Sequence, residues 1–143
     1  GNRKTLLMDI RKILIPLDDS PCSRRALDTG LFLAKNKKIT ITGMHVIRIP
    51  MVFTNKIKRK AKLNATKIIS SASSISKKNS VQFKGKISPG GYPGKQILDF
   101  ANRNKFDLII MGSKGPEPIS EMFLGSVANY VLSKSRIPVL IVK

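Results

Sequence analysis

The stretch Asp107-Leu-Ile-Ile-Met-Gly-Ser-Lys-Gly-Pro-Glu-Pro-Ile-Ser-Glu-Met-Phe-Leu-Gly-Ser-Val127 decides the fold. Asp107–Met111 carries an apolar run that reads as a buried parallel strand. Gly112 and Gly115 follow at once, and Gly125-Ser126 open a helical pattern further on. Glycines let a backbone approach a bulky anion closely, and the N–H groups at a helix start attract phosphate. Ser126 adds a hydroxyl at a natural N-cap position. A strand, a glycine loop and a helix start in this order make a phosphate-binding corner.

Outward from this corner, strand-like and helix-like segments alternate. Lys12-Ile-Leu-Ile-Pro-Leu17 reads as the first strand and ends in Asp18-Asp19-Ser20-Pro21. Ser20 followed by Pro21 is a helix start, with a capping hydroxyl and Pro at the first helical position. The helix carries Ala26, Leu27, Leu31 and Ala34 inward and fades over residues 35–38. Ile39–Ile47 has the β-branched enrichment of a second strand, which Pro50 ends. Residues 55–77 read as a long basic amphipathic helix with Ile57, Ala61, Asn64 or Ala65, Ile68, Ala72 and Ile75 on one face. That stripe is narrow and lacks large anchors, which favours packing on a sheet over lying on a membrane. Val81–Ile87 alternates as a third strand. Pro93 starts a third helix with Ile97, Leu98 and Ala101 inward. Ser126–Ser135 gives a fourth helix and Ile137–Val142 a fifth strand. Alternating strands and helices predict an α/β fold, a doubly wound five-stranded parallel sheet with helices on both faces. The expected organisation is an N-terminal extension at residues 1–11, whose Gly1-Asn2 has the look of an expression scar, and a nucleotide-binding domain at residues 12–143.

In such a sheet ligands bind beyond the carboxyl ends of the strands, where the strand order reverses. With order 3-2-1-4-5, strands 1 and 4 are neighbours at that point, and Asp18 faces the Gly112–Gly115 loop across a pocket. A carboxylate there suits hydrogen bonds to a ribose or a base edge. Neither a P-loop, G-x-x-x-x-G-K-[ST], nor a G-x-G-x-x-G turn after strand 1 is present. Lys114 reads either as a neutraliser of phosphate or as a solvated lysine, Asp19 as a turn or helix-cap carboxylate, and His45, within an apolar strand, as structural.

Composition bounds the rest. The 143 residues include 27 Lys or Arg and 8 Asp or Glu, a formal charge of +19. Between Asp28 and Asp99 there are 15 Lys or Arg and no carboxylate. Such a surface reads either as a solvated basic coat that keeps the protein soluble or as one that attracts polyanions in a salt-sensitive way, with non-specific nucleic-acid binding the second reading. The alternative to a nucleotide-centred function is therefore a polyanion- or partner-binding protein with a vestigial nucleotide site. The lone Cys22 forms no internal disulfide and reads as buried or incidental, which suits a reducing cytoplasm. The one His and one Cys offer no Cys/His cluster for zinc, and no apolar run reaches the ~18–20 residues of a membrane-spanning helix.

With these residues in place the chain resembles the universal stress proteins from about Lys12 to Lys143. Gly112, Gly115, Gly125 and Ser126 match that family's G-x2-G-x9-G-[ST] signature at full spacing. The Ile13-Leu-Ile-Pro-Leu-Asp18 opening, His45-Val46 and Pro138-Val-Leu-Ile-Val142 agree as well, and Gly91-Tyr-Pro-Gly94 is similar to the family's turn before its third helix. The resemblance implies the ATP-binding branch. Pro16 and Asp18 would then line the adenosine side and Val46 would pack near the adenine. Met111 and Gly112 would continue the pocket, while Gly115, Gly125, Ser126 and Val127 would meet ribose and phosphates. It also implies homodimers built through the final strand.

Two departures shift the expected nucleotide toward AMP or ADP. Ala128 stands where some ATP-binding members carry a hydroxyl, and Pro116-Glu-Pro118 puts a carboxylate and two stiff residues in the phosphate loop, which weakens triphosphate binding relative to AMP or ADP unless Glu117 faces solvent or helps hold Mg²⁺. No catalytic set is apparent. The expected function is a cytoplasmic adenine-nucleotide (ATP, ADP or AMP) sensor or regulator of the stress response, with at most slow ATP hydrolysis.

Overall fold

The computed structural model describes residues 9–48, 54–116 and 124–143. Most of the expected N-terminal extension, Pro50 as the end of the second strand, and Glu117 and Pro118 of the loop lie outside the described residues. The elements are β1 (Lys12–Pro16), α1 (Pro21–Ala34), β2 (Thr40–Val46), α2 (Asn55–Lys78), β3 (Gln82–Ser88), α3 (Pro93–Arg103), β4 (Leu108–Gly112), α4 (Ser126–Lys134) and β5 (Val139–Val142). The strands form one sheet of order β3-β2-β1-β4-β5, with every pairing parallel. This is the predicted α/β architecture.

The continuous apolar runs follow from burial on both faces. Side chains alternate across a strand, so Ile13 and Ile15 point to one side and Leu14 to the other. Ile13, Ile15, Leu17, Ile41 and Ile110 join Ala26, Leu27, Leu31 and Ala72 in a core beneath α1 and α2. Leu14, Met44, Val46, Ile109 and Met111 join Ile97, Leu98, Ala101, Ala128 and Val131 in a second core beneath α3 and α4. The sheet thus separates two cores, and every residue of β1 from Ile13 to Ile15 is fully buried.

Local chemistry sets the helix ends. Ser20 caps α1 by accepting from the Ser23 N–H at 3.1 Å, with Pro21 as the first helical residue. Thr54 caps α2 through the Ile57 N–H. On α2 the inward choice between Asn64 and Ala65 falls to Ala65, which is completely buried. That helix lies on β2 and β3, where a Cβ on Gly85 would meet Ile69 at 2.4 Å. Among the described residues no helix is long and apolar enough to cross a membrane.

Candidate functional site

The chain winds from β1 outward to β3, then crosses back to β4 and β5, so the order reverses between β1 and β4. Two loops leave the carboxyl ends of these neighbouring strands and cannot cover one another. A cleft of about 230 Å³ opens there. Its lining includes all nine residues expected from the sequence: Pro16, Asp18, Val46, Met111, Gly112, Gly115, Gly125, Ser126 and Val127.

The β1–α1 turn is held rigidly. The Ser20 N–H donates to Asp18 Oδ1 at 3.0 Å, and the Asp18 N–H lies 3.4 Å from Ser23 Oγ. Ser23 Oγ in turn donates to the Ser20 carbonyl at 3.0 Å. These bonds orient the Asp18 carboxylate so that its other oxygen, Oδ2, stands 3.5 Å from where a Cβ on Gly115 would lie. Asp18 and the Gly115 loop therefore face each other across the cleft. Asp19 is exposed with φ 67° and lies outside the cleft lining; the capping role falls to Ser20.

His45 braces this turn from β2. Its Nδ1 is 2.7 Å from the Leu17 carbonyl, an acceptor only, so Nδ1 carries the proton. The Leu17 N–H donates to Met44 O at 2.8 Å. His45 is absent from the cleft lining, in keeping with a structural role.

The glycines have different tasks. A Cβ on Gly112 would sit 2.6 Å from Cys22 Cβ and 2.9 Å from the Ser23 amide nitrogen, so this glycine lets the end of β4 touch the first turn of α1. Gly125 closes the neck of the loop: its N–H donates to Ser113 O at 2.7 Å, and a Cβ there would be 3.4 Å from Lys114 Cα. Ser113, itself 3% exposed, is tied to the sheet through its N–H to Val142 O at 2.8 Å. At Gly115 a Cβ would meet only Asp18 Oδ2 across the cleft, at an ordinary contact distance of 3.5 Å.

One local expectation is corrected. The N-cap of α4 is Gly125, and Ser126 is the first helical residue. Gly125 brings no side-chain cap, so the N–H groups of the first turn, which no intrahelical carbonyl can satisfy, are left without one beside the cleft. The exposed Ser126 hydroxyl lines the cleft there instead of capping the helix.

The cleft also gathers residues that the sequence did not single out as site residues: Leu17, Ser23, Met44, Arg48, Pro93, Ile97 and Ser113. Met44 was within reach of the period-two rule, since it lies on the same face of β2 as Val46. Arg48 follows that strand and carries no periodic signal; among the described residues its guanidinium has no hydrogen-bond or ion-pair partner. The cleft thus has an apolar wall (Pro16, Met44, Val46, Ile97, Met111), one carboxylate, and a rim with Lys114, Arg48 and the start of α4. Such a site can hold a flat apolar ring, hydroxyl groups and an anion side by side. Among the described residues no group of three His, Cys, Asp or Glu side chains is arranged to hold a metal ion.

Residues 9–143 match the profile of the universal stress protein family. The chain belongs to that family. This universal stress protein is 32% identical over 146 residues to the universal stress protein YxiE of Bacillus subtilis, covering 92% of this chain and 98% of the relative. It superposes on the solved structure of MJ0577, a universal stress protein of Methanocaldococcus jannaschii, with a TM-score of 0.86 and 31% identity, over 96% of this chain and 97% of the other. The universal stress protein from Archaeoglobus fulgidus in complex with dAMP shares the fold, with a TM-score of 0.72 and 21% identity over 96% and 100% of the two chains.

Proposed function

We propose that this universal stress protein binds an adenine nucleotide in the cleft between β1 and β4 and serves as a sensor or regulator in the stress response. The observation that carries this reading is the convergence of the Asp18 carboxylate, the Gly115 loop and the uncapped start of α4 on one cleft with an apolar wall. Pro16, Met44, Val46, Ile97 and Met111 offer the surface for a base. Asp18 Oδ2 is an acceptor for ribose hydroxyls, since Oδ1 is engaged by the Ser20 N–H. The α4 start with Ser126 and Val127, joined by Gly125 and Lys114, offers N–H groups and a cation for phosphate. The dAMP bound to the Archaeoglobus fulgidus relative supports the class of ligand.

AMP and ADP are preferred over ATP in this proposal. Ala128 lines the cleft without a hydroxyl, and Pro116 stiffens the loop that a third phosphate would meet. Any Mg²⁺ would be held chiefly by the phosphates. Hydrolysis is at most slow: a general base must reach an attacking water, and Asp18 is committed to the ribose side while the proton of His45 Nδ1 goes to Leu17 O.

Isothermal calorimetry with ATP, ADP and AMP, each with and without Mg²⁺, tests the proposal; no heat from any of them at millimolar ligand would refute it. Gly115→Val sharpens the test. Its Cβ meets only Asp18 Oδ2, at 3.5 Å, so the fold is kept while the side chain fills the cleft. The expected result is at least a hundredfold loss of nucleotide affinity with an unchanged melting temperature.

A further inference from the structure

We propose that the outer face of α2 docks double-stranded nucleic acid through its phosphate backbone, independently of the nucleotide cleft, to which α2 contributes no residue. Lys56, Arg59, Lys60, Lys62 and Lys67 are all exposed. At 3.6 residues per turn, Lys56, Arg59, Lys60 and Lys67 fall within roughly a 100° arc. Ala65, Ala72 and Ser76, buried against the sheet, lie on the opposite side. None of the five cations has an ion-pair partner among the described residues.

This charge works against the helix that carries it. There is no acidic residue in the first turn of α2, so Lys56 and Arg59 sit at the positive end of the helix dipole. Lys56 and Lys60 are like charges at i,i+4, and Lys56–Arg59 and Arg59–Lys62 are like charges at i,i+3, all of which repel. Helix α3 solves the same problem internally, with Lys95 paired to Asp99 at 2.9 Å. Of the five other described Asp side chains three are engaged elsewhere: Asp9 pairs with Arg11, Asp18 accepts from the Ser20 N–H, and Asp107 accepts from the backbone N–H groups of Arg11 and Lys12. Among the described residues no carboxylate is paired with the α2 face, which leaves its neutralisation to a bound polyanion.

The same face selects among polyanions. Leu63, 64% exposed, is the one large apolar side chain exposed on α2, too little for insertion into a membrane interface, which requires a broad apolar face. An acidic protein partner would be anchored by aromatic or apolar hot spots, and a single strand by aromatic stacking platforms; α2 has no aromatic residue. What remains is a stripe of cations, Lys56, Arg59, Lys60 and Lys67, spanning about 17 Å along one face of a 24-residue helix. That span is about half of the ~34 Å of one duplex turn, enough to follow one stretch of phosphate backbone. Binding through phosphates alone is sequence-independent and salt-sensitive.

Fluorescence anisotropy with a labelled duplex of about one to two turns, titrated between about 50 and 200 mM salt, tests the proposal on the full chain. Wild type is expected to bind in the micromolar range near the low end, with log K falling against log salt at a slope of about −4 to −5 for five phosphate contacts. Lys56→Glu/Arg59→Glu/Lys60→Glu is expected to lose at least tenfold in affinity and to flatten the slope by about 3 units. Lys35→Glu/Lys37→Glu/Lys38→Glu makes the same change in net charge between α1 and β2 and is expected to lose about twofold or less, the residue of long-range attraction. Equal losses in the two triple variants would reduce the effect to net charge and overturn the proposal, as would a wild type that does not bind at the lowest salt. An α2 triple that keeps its duplex affinity but loses binding to phosphatidylserine vesicles would assign the face to a membrane and equally overturn it. The corresponding Gln triple, with helicity followed by circular dichroism, separates loss of binding from loss of fold.

Discussion

At Gly112 the sheet meets helix α1 with no space for a side chain, because the atoms a Cβ would strike include the Cys22 carbonyl carbon at 2.7 Å and the Ser23 nitrogen at 2.9 Å. Backbone cannot swing aside as a long side chain does. Gly112→Ala is therefore expected to cost about 1–3 kcal/mol of stability, as overpacking of a tight core does, and to lower the urea midpoint; an unchanged midpoint would show that α1 yields. Gly115 has the opposite surroundings, so the two glycines of one motif separate a structural from a ligand-facing position. Arg48 belongs at this scale too. It stands at the rim beyond Met44 and Val46, on the side assigned to the base, where a guanidinium stacking on an aromatic ring contributes about 0.5–1 kcal/mol. Arg48→Met is expected to weaken adenosine and AMP alike by about two- to fivefold. A loss confined to the phosphorylated ligand in calorimetry would move Arg48 to the phosphate side.

Helix α1 and its preceding turn show how one element fixes a site through capping. Ser20 accepts from the Ser23 N–H, gives its own N–H to Asp18 Oδ1, and receives the Ser23 hydroxyl on its carbonyl. The cap and the aim of Asp18 are thus one hydrogen-bonded unit. Ser20→Ala removes the cap acceptor at a buried position, 2% exposed, at an expected cost of about 1 kcal/mol. For a chain of this size that is a fall of about 2–5 °C in Tm by calorimetry. A loss of nucleotide affinity in the same variant would show that the cap also positions the carboxylate. Much of this element was legible beforehand: Ser-Pro after an apolar strand is a strong start signal. At α4 the same logic missed by one residue. Gly125 takes the cap, because its amide is drawn to Ser113 O to close the loop, a constraint invisible in local sequence.

For the whole molecule, the two edges of the sheet are finished differently. On β3, Lys84 and Lys86 are exposed, as on an edge guarded against pairing. On β5, Val139, Leu140, Ile141 and Val142 are partly or largely exposed, with Leu140 at 39% and nearby Leu132 on α4 at 45%. An unguarded apolar edge invites a second copy, so a homodimer through β5 is the expected assembly. Sedimentation should give a dimer for wild type and a monomer for Leu140→Arg; a monomeric wild type at micromolar concentration would rule this edge out. The basic face of α2 sits on the β3 side of the sheet and would stay open in such a dimer.

The sequence by itself determined the kind and order of the nine elements of the described residues. Burial on both faces writes unbroken apolar runs into β1 and β4, and the starts of α1 and α2 carry their own caps. It also put the signature glycines and Asp18 at strand ends that the strand order makes neighbours. Only the tertiary structure decided which of Asn64 and Ala65 turns inward, that Gly125 rather than Ser126 caps α4, and that Arg48, Ser23 and Ile97 join the site. Periodicity specifies a face relative to its own helix or strand. The partner of that face, and the position of a residue just beyond an element's end, depend on contacts between segments far apart in the chain.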